Sequence, residues 1–95
     1  MTTGGELEEA REALEQGMPG RAVRLAWDAA FAADYARNAE SLDEIQALAS
    51  EIEERTEGGD KEEARRLAVF CAACSEDIRK GVPHDSALGR LFRRT

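Results

Sequence analysis

Cys71-Ala-Ala-Cys74 holds the residues of this chain best suited to chemistry by type and spacing. Two thiolates three residues apart can supply half of a zinc site or form a redox couple. Structural zinc takes four ligands, and His84 is the one obvious third, so the metal reading is Cys71, Cys74 and His84 with one ligand missing. A redox pair needs a helix N-terminus to lower a thiol pKa, whereas these cysteines fall in the middle of a predicted helix. The pattern around them favours small apolar residues in a core. His84 is the sole histidine, which removes most histidine-dependent constellations within one chain. Glu8, Glu12 and Glu15, and likewise Glu51, Glu54 and Glu62, have no Glu-x-x-His partner of the di-iron type and read as solvated helix faces. Gly4-Gly5 and Gly58-Gly59 come after no strand, so they are not phosphate cradles.

The elements that must position these residues are helices. Thr3 with Glu6 matches a capping box, and Leu7, Ala10 and Leu14 give a helix over 6–16 one narrow apolar stripe. Gly17-Met-Pro-Gly20 ends it. Between Ala22 and Ala36 only Arg24, Asp28 and Asp34 interrupt an apolar run, so a helix over 21–38 must be central. Ser41 with Glu44 opens a third helix that buries Leu42, Ile45, Leu48, Ala49 and Ile52 and runs to about residue 56. After Gly58-Gly59, Asp60 with Glu63 caps a fourth helix over 61–80. It buries Ala64, Leu67, Ala68, Cys71, Cys74 and Ile78, with Val69, Phe70 and Ala73 widening the stripe. Asp85 or Ser86 starts a short amphipathic helix through Leu88, Leu91 and Phe92. The expected organisation is a disordered stretch at 1–5, helical hairpins at 6–38 and 41–80, and a C-terminal segment at 81–95.

A self-similar step runs through this arrangement. Gly17 precedes Ala22 and Gly59 precedes Ala64 by the same five residues, the second step standing 42 positions after the first, and a period of about 20–50 residues marks helical repeat architectures. Leu14-Glu-Gln-Gly17 followed by Ala22-Val23, Ala26 and Ala29 resembles the turn and second helix of a tetratricopeptide repeat, and Gly59, Ala64, Ala68 and Cys71 repeat it. The resemblance implies two stacked helical hairpins that present a helical face to a peptide or partner protein. A closed four-helix bundle satisfies the same short-loop pattern, so the fold class is all-α in either form. Arg79 followed by His84 also resembles the Arg–His spacing of HEPN-type ribonucleases, which are small helical proteins as well. That resemblance implies a ribonuclease centred on Arg79 and His84, although Gly81 and Pro83 break the helix between them.

Composition narrows the function. A net charge of −7 repels polyanions, so nucleic-acid binding is not expected. No apolar run is long enough for a transmembrane segment, and the N-terminus lacks a secretory pattern, so a cytoplasmic protein with reduced thiols is expected. Nothing calls for a cofactor. Trp27, Phe31 and Tyr35 stand four apart and form a ridge on the second helix. The tail joins Leu88, Leu91 and Phe92 to Arg90, Arg93 and Arg94. These two features are the candidate partner-binding residues, and the expected function is a non-enzymatic protein–protein interaction module, as a homodimer or one part of a complex. The alternative is a small metal-binding or ribonuclease-like protein built on Cys71, Cys74, His84 and Arg79.

Overall fold

Four helices make up nearly all of the described chain: α1 (Thr3–Glu15), α2 (Pro19–Tyr35), α3 (Ala39–Arg55) and α4 (Gly59–Arg79). The structure, a computed structural model, describes residues 3–81. The stretch expected to be disordered at 1–5 overlaps the start of α1, which begins at Thr3. Docking of Leu7, Ala10, Ala13 and Leu14 against the core holds the helix, and the first turn extends from it at a Gly propensity cost of about 1 kcal/mol per residue. Thr3 therefore lies inside α1 and is not its cap.

The other caps also differ from expectation. Pro19 starts α2, where its missing N–H is one of the first-turn donors that have no intrahelical acceptor. Asn38 caps α3 in place of Ser41, and its Oδ1 accepts the Ser41 N–H at 3.1 Å. Gly58 precedes α4 without a side-chain cap, so Asp60 sits within the first turn. Gly58 is left-handed (φ 75°), so the repeated glycine step marks similar turns but not identical backbone geometry.

Left-handed residues close three of the helices. At the end of α1 the Gly17 N–H donates to the Leu14 carbonyl (3.1 Å) and the Met18 N–H to that of Ala13 (2.9 Å), with Gly17 at φ 78°. This is a Schellman turn. The end of α2 repeats it through Arg37 N–H to Asp34 (3.1 Å) and Asn38 N–H to Ala33 (2.9 Å), but the left-handed residue there is Arg37 at φ 58°. Only Arg37 and Asn38 separate the Ala36 cap of α2 from the start of α3. The tight turn reverses the chain at once.

Side-chain contacts fix the helix directions. Asp43 meets Ser75 and Arg79, while Glu53 meets Lys61 and Arg65, so α3 and α4 are antiparallel. Gly20 lies beside Asp60, Trp27 bonds Glu63 and Phe31 meets Phe70, so α2 and α4 run parallel. The main seams are α1–α2, α3–α4 and α2–α3, joined by α2–α4 and a small α1–α3 contact. Among the described residues α1 and α4 form no comparable seam. The helices thus make two layers, α1 with α3 and α2 with α4, stacked as an open pair of hairpins. The 16 Å short dimension is what two helix layers about 10 Å apart occupy.

Alanine makes this stacking close. Ala22, Ala26, Ala29, Ala30 and Ala33 of α2 are fully buried, which lets three neighbours approach one helix, and Leu42, Ile45, Ile52, Leu67 and Cys71 supply the largest buried side chains. Two of the three paired small positions of the repeat behave alike, Ala22 with Ala64 and Ala29 with Cys71 all being buried, whereas Ala26 is buried and Ala68 only half-buried. The α4 stripe is narrower than its composition suggests. Val69 and Ala73 face outward, Ala68, Phe70 and Ile78 are half-buried, and Ser75 is buried instead.

Candidate functional site

The aromatic ridge of α2 becomes progressively exposed along its length. Trp27 is half-buried, Phe31 is 55% exposed and Tyr35 is 82% exposed. Steps of four residues drift slowly around a helix, and here the drift carries the ridge from the α4 seam out to the surface. Phe70 of α4 completes a three-ring cluster: Trp27 stacks on Phe31 at 5.5 Å, and Phe70 lies 5.3 Å from Trp27 and 5.4 Å edge-on from Phe31. Such pairs contribute roughly 0.5–1.5 kcal/mol each beyond their buried area. The Trp27 indole N–H donates to Glu63 Oε2 at 3.1 Å, and Arg66 bonds the other oxygen of the same carboxylate. This fixes the tryptophan by a charge-assisted bond across the layer. Phe70 stood in the sequence only as a residue broadening the α4 stripe; its aromatic type at the stripe's edge was the signal for a surface role.

Cys71 and Cys74 are brought together as core residues. Both thiols are buried between α2, α3 and α4, and desolvation first, then the charge of Asp34, pushes each up to about 12 from an ordinary 9.0. The Asp34 carboxylate also accepts the Cys74 thiol proton, which adds to the effect. Such an environment holds the thiols protonated, the reverse of what a redox nucleophile or metal ligand needs. Among the described residues no three of the His, Cys, Asp and Glu side chains converge as a metal site. Asp34, 5% exposed, is a buried acid that the apolar run of α2 disguised. Its place one turn beyond Ala30, on the α4 side, was the available clue.

A second polar constellation sits at the other seam of α4. The Ser75 hydroxyl donates to Asp43 Oδ1 at 2.8 Å, and Arg79 donates to Ser75 Oγ at 2.9 Å and to Asp43 Oδ2 at 2.6 Å. The Arg79 guanidinium, with help from Ser75, holds the Asp43 carboxyl below its usual value. Arg79 is therefore engaged in pinning α4 to α3, not presented as a free cation beside a substrate. An open recess of about 380 Å³ lies here, lined by Asp43, Gln46, Ala72, Ser75, Glu76 and Arg79, with Lys80 at its edge. His84, Leu88, Leu91 and Phe92 lie outside the described residues, as does the short C-terminal helix.

The chain matches no protein-family model, no curated protein and no solved structure, so its functional reading rests on its own residues. No helix among the described residues is long and apolar enough to cross a membrane.

Proposed function

We propose that the protein is a non-enzymatic helical interaction module whose docking surface is the outer face of the α2/α4 layer, and that a second copy of the chain occupies it. The observation that carries this reading is the exposure of Phe31 and Tyr35 beside a three-ring cluster already held by its neighbours. Aromatic anchors fixed before binding lose little rotamer freedom on association, which makes them efficient interface residues. Charges of both signs accompany the rings: Arg24 and Asp28 are exposed on α2, and Arg66 with Glu63 lies on α4. Two copies about a twofold axis can set opposite signs against each other.

The size of the face bounds the affinity. Seventeen residues make α2 about 25 Å long, and two adjacent helices present a width of about 20 Å, giving ~500 Å² per copy. A total of ~1,000 Å² lies at the lower limit for a specific interface, so the dimer should dissociate at micromolar concentration or above. A tetratricopeptide-like relationship belongs to the same proposal, supported by the stacked hairpins and the small residues shared by α2 and α4. The cytoplasm suits two reduced core thiols, and the acidic surface disfavours nucleic acid as partner.

Light scattering from about 1 µM to about 1 mM tests the proposal, with mass expected to rise toward twice the chain mass. Phe31→Arg should abolish the rise while helicity is kept. A strict monomer throughout the range would overturn it, and so would a dimer indifferent to Phe31→Arg.

A further inference from the structure

The outward side of α4 has a charge order of its own. Glu62, Arg66, Val69, Ala73, Glu76 and Lys80 succeed one another at alternating steps of four and three, so they form one straight stripe along the helix. All six are exposed, Val69 at 65%, and they point away from the α3 contacts made by Lys61, Arg65 and Arg79. The order is acid, base, apolar, apolar, acid, base. Cys71 stands at the midpoint, with Val69 and Ala73 two residues to either side, Arg66 and Glu76 five, and Glu62 and Lys80 nine. Turned end for end, the stripe sets every charge against its opposite and Val69 against Ala73.

The ridge of α2 has its centre at the same height. Gly20 lies beside Asp60 and Phe31 meets Phe70, so the parallel packing places Phe31 level with residues 70–71. A twofold axis crossing both helices at that level brings Phe31 onto its own counterpart. Tyr35, four residues beyond Phe31, then comes level with the second copy's Asp28, three residues before it, and a phenol can donate to a carboxylate there. The axis that the charges of α4 require thus coincides with the exposed ring of α2.

Within one chain the stripe's charges are only lightly engaged. Arg66 bonds Glu63 at 3.3 Å, Lys80 approaches Glu76 at 3.6 Å, and Glu62 makes no ion pair among the described residues. Exposed intrahelical pairs of this kind hold weakly, and each leaves donors and acceptors open. Across the axis a row of alternating sign runs from Glu63 and Arg66 to the second copy's Glu76 and Lys80 and back to Glu62. The existing pairs are extended, not broken.

We infer that two copies meet with their α4 helices antiparallel about a twofold axis level with Cys71 and Phe31, Arg66 pairing with Glu76 and Glu62 with Lys80 around a Val69–Ala73 contact. The inference rests on the dimer reading above and fixes its register. Short side chains at the centre of the stripe let the two helices approach closely, which gives exposed Val69 a partner. An isologous contact of this kind closes on itself, so association stops at two copies.

Charge reversal tests it, with mass followed by light scattering over about 1 µM to about 1 mM and helicity by circular dichroism. Arg66→Glu alone and Glu76→Arg alone should each weaken the dimer roughly 10-fold or more, since the twofold axis repeats each reversed contact. The two changes in one chain should restore it, and so should mixing the two single variants. Glu76→Arg brings the net charge of −7 nearer zero, so repulsion between whole molecules would instead tighten association, a result that overturns the register. Two further results overturn it: a dimer indifferent to both single changes, as parallel α4 helices would give, and no recovery in either the double variant or the mixture. In each of these cases a dimer that Phe31→Arg still abolishes leaves the docking face standing. A strict monomer from the unsubstituted chain refutes face and register together.

Discussion

Alkali should unfold this protein through the two thiols in its core. Cys71 and Cys74 are pushed up to about 12 in the folded chain against 9.0 when free in solvent. A group whose folded pKa is raised contributes stability that is fully present below its unfolded value and is lost as the pH rises toward the folded one. The window is therefore from pH 9 to about 12. Each thiol loses about 1.4 kcal/mol per pH unit in that window, so about 2 kcal/mol by about pH 10.5. Two thiols acting together give roughly 3–4 kcal/mol, a large share of the ~5–14 kcal/mol expected for a domain of this size. Urea unfolding followed by Trp27 fluorescence reads the change, which at ~1–1.5 kcal/mol/M should lower the midpoint by roughly 2–4 M between about pH 8 and about pH 10.5. Cys71→Ala with Cys74→Ala is the control. That variant should begin about 1 kcal/mol less stable per site and then lose little more with pH, apart from the titration of tyrosine and lysine. A midpoint that stays constant for the unsubstituted chain, or falls equally in both proteins, would refute the placement of these thiols.

Gly17→Ala should cost about 1 kcal/mol in thermal unfolding, since a Cβ there meets open space and the penalty is the left-handed φ alone. Ile52→Ala should destabilise by roughly 3–4 kcal/mol because its side chain is wholly buried, whereas Val69→Thr should stay within about 0.5 kcal/mol in the same denaturation assay. Asp43 is held below 3.8 by Arg79 and Ser75, so its contribution is present above that pH and fades as acid protonates it; Asp43→Asn should flatten the acid limb of a pH–stability curve, and added salt should shrink the difference.

The four described helices and their order were legible in the chain because they depend on local periodicity. Leu42, Ile45, Leu48, Ala49 and Ile52 are all buried, as their spacing requires. Caps were less legible. Asn38, Ser41 and Glu44 all lie within reach of the same helix start, and only the three-residue reversal after Tyr35 makes Asn38 the acceptor. The aromatic ridge was visible as three residues at steps of four, but the third ring of the cluster, Phe70, stands on α4 thirty-nine positions beyond Phe31 and meets it only through the parallel packing of α2 and α4. The Ser75–Asp43–Arg79 bonds were hidden for the same reason, because α3 and α4 must be antiparallel before Asp43 faces Ser75.

By itself the sequence determined that this protein is all-α and acidic, where each helix lies to within a turn, and that Cys71 occupies a small-residue position of the kind Ala29 holds. Those properties come from residue types read at short range, where hydrophobic spacing and turn residues act directly on the backbone. Tertiary structure alone decided that the hairpins stack openly and do not close α1 on α4, that Asp34 and the two thiols share a dry seam, and that the rings of α2 stay half in solvent. Each of these depends on which helix faces meet. That is settled by the close approach along the alanines of α2, a sum of many weak contacts between residues far apart in the chain.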